Sequence, residues 1–137
     1  MEYRREGNIL MAKLDHETDI FEVLTELFKD TQGAMVVSCI GMLKDFQLGY
    51  YDSESGEYQW KDYPDCMELL SLCGSAAKDG SIHLHAVVSG KDHAAVGGHL
   101  KGGMIHNVVE LTAIVPEKVK LIRRLNDVTG SKLLSVE

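Results

Sequence analysis

Apolar positions recur along this chain with two periods. Between residues 19 and 31, Ile20, Phe21, Leu24, Leu27 and Phe28 fall at helical spacing and form one stripe. Asp19 offers a side-chain acceptor to the first free amides, Glu22 follows three residues later as in a capping box, and Gly33 supplies a stop. A helix is predicted over 19–31. Elsewhere the period shortens to that of strands. Residues 3–14 read as a first strand with an irregularity near Gly7. Residues 34–43, "AMVVSCIGML", are almost wholly apolar and rich in β-branched side chains, the pattern of a central strand buried on both faces. Segments 45–52 and 57–63 flank the turn "SESG" and suggest a hairpin that Pro64 ends. Strands follow at 66–77, 81–90, 93–100 and 104–115, with "KDG" and "KD" as turns and Pro116 as a stop. Val119, Ile122 and Leu125 lie on one side of a short helix over 117–130, and 132–136 reads as a last short strand.

Hairpin-like connections between so many strands predict an α+β fold: a mostly antiparallel sheet with one main helix packed on it. The length, 137 residues, suits a single domain spanning 1–137. Dinucleotide-binding, P-loop and nucleophile-elbow glycine patterns are absent.

Composition narrows the function classes. The net charge of −7 weighs against a free-standing nucleic-acid binder, whose non-specific affinity comes from Lys and Arg. The arginines are confined to Arg4-Arg5 and Arg123-Arg124. Cys39, Cys66 and Cys73 form no CxxC pair, and each lies in or beside an apolar run, so buried reduced thiols in a reducing cytoplasm are expected. The start has charges but no apolar leader core, and no window is apolar enough to span a membrane. The expectation is a soluble cytoplasmic protein.

The candidate chemistry lies in "HLHAVVSGKDHAAVGGHL", residues 83–100, which holds four of the six histidines. His83 and His85 are two apart, so on a strand both imidazoles face the same side. A tight turn centred on residue 91 sets His99 opposite His83 and brings three imidazoles to one spot. A one-residue slip would send His99 to the other face. Three neutral imidazoles leave a fourth position open, as in reactive zinc sites. The competing reading is a polar strand face with no ion. His93 falls at the hairpin tip and is expected in solvent. His106 lies in the next strand, where it either faces the site or serves the structure, and His16 is expected at the surface. Glu68 and Glu110 are acidic residues in apolar strands. Each is either a carboxylate orienting a ligand ring or an ordinary surface group.

"ELLSLCG" (68–74), "HLH" (83–85), "GGHL" (97–100) and "VVEL" (108–111) together resemble the PPC domain, named for plants and prokaryotes conserved. The resemblance extends over nearly the whole chain. It implies the α+β fold just described and assembly as a homotrimer. It also implies that His83, His85 and His99 are metal ligands, with zinc the default ion. Plant members carry the domain beside AT-hook segments that bind A·T-rich DNA. Stand-alone prokaryotic members are often labelled DNA-binding. This chain has no Arg-Gly-Arg core and is acidic, which sets it apart from the plant type. Three functions follow as expectations: a trimeric metal-binding module, a metal-dependent hydrolytic enzyme, and a DNA-associated regulator.

Overall fold

A computed structural model describes all residues, 1–137. Its elements in chain order are β1 (Glu2–Glu6), β2 (Ile9–Asp15), α1 (Ile20–Phe28), β3 (Gly33–Lys44), β4 (Phe46–Asp52), β5 (Glu57–Tyr63), β6 (Met67–Ala77), β7 (Ile82–Ser89), β8 (Ala95–Lys101), β9 (Met104–Ile114), β10 (Leu121–Leu125) and β11 (Lys132–Val136). Nine strands form one sheet in the order β1-β2-β9-β3-β6-β7-β8-β4-β5, and β10 pairs with β11 alone. All neighbouring strands pair antiparallel. The α+β expectation is met, with the sheet wholly rather than mostly antiparallel.

One face of the sheet is the core side. Leu10, Ala12 and Leu14 of β2, Leu84, Ala86 and Val88 of β7, and Val109, Leu111 and Ala113 of β9 alternate inward. The helix lays Ile20, Leu24, Leu27 and Phe28 on this face. Asp19 caps α1 by accepting from the amides of Phe21 and Glu22, an arrangement worth about 1 kcal/mol. The helix is shorter than predicted. Thr31 turns the chain back by donating its amide and hydroxyl to the Phe28 carbonyl. Gly33 does not close the helix. It opens β3 at φ +114, where an added Cβ would strike Leu121.

The opposite face is largely uncovered. Met11, Val37, Ile40 and Leu70 are each about half exposed there (52, 50, 50 and 48%). The apolar run 34–43 is thus buried on one face only within this chain, not on both as its composition predicts.

Three further expectations are corrected. The first strand is a hairpin: Glu6 pairs with Ile9 across Gly7-Asn8, and Gly7 takes φ +57, as the first position of such a turn requires. Residues 117–130 contain no helix. Leu121–Leu125 instead pairs with Lys132–Val136, and the Asn126 side chain accepts from the amides of Val128 and Thr129 to make the turn. Only Cys39 is buried, because Cys73 lies on the outward phase of β6 and Cys66 precedes the strand.

Candidate metal centre

The histidines sit on the uncovered face because the core takes the alternate positions. On β7, Leu84, Ala86 and Val88 point inward, so His83, His85 and Val87 point outward. The β7–β8 loop is longer than predicted. Asp92 accepts from the Ala94 amide, His93 adopts φ +59, and the strands resume with Ser89 opposite Ala95. His99 therefore pairs with His85 rather than His83. A two-residue displacement preserves the face, so His99 still joins the other two.

The three rings converge closely. His83 Nε2 and His85 Nε2 are 3.1 Å apart. The ring centroids of His83 and His99 are 4.8 Å apart, and those of His85 and His99 are 5.5 Å apart. One candidate ligand atom from each residue lies within 4.8 Å of the other two. Two nitrogens bound to one tetrahedral zinc stand about 3.3 Å apart, so the His83–His85 spacing fits a shared ion. Two of the rings are also biased toward the neutral form. Burial pushes the His83 imidazole down to about 4, with further lowering from His99, His85 and Arg123. Burial, then His85, lowers His99 as well. Neutral imidazole is the form that ligates metal. His99 Nδ1 is buried without a hydrogen-bond partner, an atom the chain itself leaves unsatisfied.

Neighbouring strands supply a wall. Gly49 of β4 pairs with His99 and with Trp60 of β5. The Trp60 ring occupies the space a Cβ at residue 49 would need. Tyr58 and Trp60 approach His99 with centroids at 5.1 and 5.8 Å. On the other side, Ser75 pairs with His83 and Cys73 with His85. Arg123 reaches over from β10 and donates to Ser75 Oγ at 2.6 Å.

The remaining candidates lie elsewhere. His93 is exposed in the loop. His106 is on β9, with β3 and β6 between it and β7, and packs edge-on against His16 at 5.1 Å. It does not face the triad within this chain. Glu68 is exposed and pairs with Ser89, roughly 20 Å along the strand from His83. Glu110 is exposed on β9 and shares a shallow depression with Glu68, Ile40 and Leu70. Neither carboxylate touches the imidazoles. The sequence reading missed Tyr58, Trp60 and Arg123. The alternation in "EYQWKDY" placed both aromatics on one strand face, but nothing local tied them to His99. Assigning residues 117–130 to a helix hid Arg123.

Fold and site together define an antiparallel-sheet domain bearing a three-histidine cluster. The chain belongs to the Plants and Prokaryotes Conserved (PCC, also written PPC) domain family, whose model matches residues 1–115. It is similar to a metal-containing protein from Archaeoglobus fulgidus, with 28% identity, a TM-score of 0.83, and 98% of this chain and 99% of that one covered. A plant- and prokaryote-conserved protein from Pyrococcus horikoshii shares the fold at 24% identity and TM-score 0.79, over 98% and 93% of the two chains. So does a protein from Bacteroides thetaiotaomicron provisionally described as DNA-binding, at 21% identity and TM-score 0.85, over 98% and 96%. No curated protein matches the chain.

Proposed function

We propose that residues 1–137 form one metal-binding module in which His83, His85 and His99 hold a divalent transition ion, zinc by default. The carrying observation is the convergence of three imidazoles on adjacent, rigidly paired strands. Three protein ligands leave a coordination position for an exogenous group. The similarity to a metal-containing archaeal protein points the same way. Elemental mass spectrometry on tag-free protein purified without chelator is the test. The expected result is close to one ion per chain, lost in the His83→Ala/His99→Ala double variant. Metal-free protein that takes up no added zinc would contradict it.

The module works as a homotrimer in this reading. Met11, Val37, Ile40 and Leu70 leave an apolar patch spread over three strands, and a closed ring of copies would cover it. Light scattering at micromolar concentration should give three times the chain mass, and a monomer mass would reject the assembly.

Duplex DNA is the competing partner, carried by the provisional description of the Bacteroides protein. The charge of −7 opposes it, and Arg5 and Arg124 already pair with Glu117 and Glu137. A salt-sensitive gel shift would favour DNA. A hydrolytic enzyme is the weaker alternative, because the exposed Glu68 and Glu110 stand away from the imidazoles and supply no base there.

A further inference from the structure

Beside the triad, the β10–β11 hairpin leans over the sheet and leaves an open cleft of about 690 Å3. Its walls are unusual for this chain. Tyr51 and Tyr58 form one side, Leu133 and Leu134 the other, and His83 and His99 line it as well. The chain has 21 acidic residues, yet none lines this cleft, whereas Arg123 and Lys132 both do. Lys132 also feels Asp79 outside the cleft, so Arg123 carries the argument. Arg123 is half-buried and pairs with no carboxylate. The Ser75 hydroxyl accepts from one terminal nitrogen and fixes the guanidinium beside His83. A half-buried guanidinium among aromatic and aliphatic walls, beside His83 and His99 and with no carboxylate in the cleft, lacks the anion that would balance it.

We propose that the cleft binds a small carboxylic acid with a flat apolar body. The carboxylate lies between Arg123 and the three-histidine centre. The body lies against Tyr51, Tyr58, Leu133 and Leu134. The volume is in the range of small-molecule sites, and the lining has their usual make-up, mostly apolar with a few convergent polar groups. The inference rests on the metal reading and gives its open position an occupant. The cleft lies over β4, β5, β7 and β8 and shares no residue with the Met11–Ile40–Leu70 patch assigned to trimer contacts.

Benzoate serves as the probe, with acetate, benzamide and inorganic phosphate beside it. Binding to zinc-loaded full-length chain is followed by calorimetry and by fluorescence of Trp60, the chain's single tryptophan. Benzoate should bind about tenfold more tightly than either acetate, which lacks the body, or benzamide, which lacks the charge. Arg123→Gln should keep its metal content and lose about tenfold or more in benzoate affinity. Arg123→Lys keeps the charge without the fork, should fall between the two, and serves if the glutamine variant does not fold. No benzoate binding at millimolar concentration, or affinity unchanged in both variants, overturns the proposal. Phosphate binding more tightly than benzoate overturns the carboxylate assignment. If the chain takes up no metal, the metal reading fails separately. The same titrations on metal-free chain then decide: Arg123-dependent benzoate binding supports the subsite, and its absence removes it.

Discussion

Two groups of histidines lie along one sheet, and the number of ring nitrogens that converge separates them. His16 and His106 meet edge-on beside β9, where the Asn107 amide donates to His16 Nδ1 at 2.9 Å. Asn107 itself sits at φ +65, so this bond helps hold an unfavourable backbone in place. That His16 lone pair already serves the fold; His106 Nδ1 is buried without a partner, as His99 Nδ1 is, but here only two rings meet and no third joins them. His83, His85 and His99 receive nothing from the backbone, point nitrogens at one another and leave His99 Nδ1 unsatisfied. Histidine clustering in the sequence is therefore not the signal. Spare lone pairs converging from three strand positions are.

The contrast can be broken most severely at β6, the strand paired with the one that carries His83 and His85. Gly74 pairs with Leu84 at φ +153, and a Cβ there would come within 2.0 Å of the His83 carbonyl oxygen. Gly74→Ala should cost about 2–4 kcal/mol or prevent folding, read as a lowered urea midpoint, and should abolish metal uptake with it. Next in size, His85→Ala should weaken zinc binding by about a hundredfold in a competitive chelator titration, while His106→Ala leaves it unchanged. Equal losses in both would erase the distinction between the groups. The His16→Ala change should show the reverse pattern: full metal content, with stability lower by about 1 kcal/mol through the orphaned Asn107 amide.

The smallest effect concerns the thiols on the two sides of the sheet. Burial pushes the Cys39 thiol up to about 12, so at pH 8 it is inaccessible and un-ionised, whereas Cys66 and Cys73 are exposed. A thiol reagent should count two cysteines in the native chain and three after denaturation. Because the folded value lies above the ordinary 9.0, unfolded Cys39 ionises first. Its share of stability is intact below pH 9 and declines as pH rises toward 12. Replacing Cys39 by Ala should remove that part of the alkaline slope.

The sheet and the triad were legible in the sequence because both rest on the two-residue period. That period put Leu84 and Ala86 on one face and His83 and His85 on the other, and it let the triad survive a misplaced turn. A two-residue change of partner for His99 leaves every side chain on its face. What remained hidden depends on pairing across distance. Val119, Ile122 and Leu125 fit a helical stripe, but "LIRRL" finds its hydrogen bonds in "KLLSV", and the Asn126 turn that permits this was overlooked. Arg123 vanished from view with that strand. Glu68 and Glu110 were singled out as charges in apolar strands. They lie on the open face beside Ile40 and Leu70, away from the imidazoles, so an acidic residue in an apolar strand was no guide to the site.

Metal content per chain tests the central claim most directly. Tag-free wild-type protein and the His83→Ala/His99→Ala variant, purified without chelator and matched for folding by circular dichroism, are compared by elemental mass spectrometry. The account predicts close to one transition-metal ion per wild-type chain and essentially none in the variant. Equal metal in both, or none in wild type even after incubation with zinc, would contradict it and leave the cluster a polar strand face.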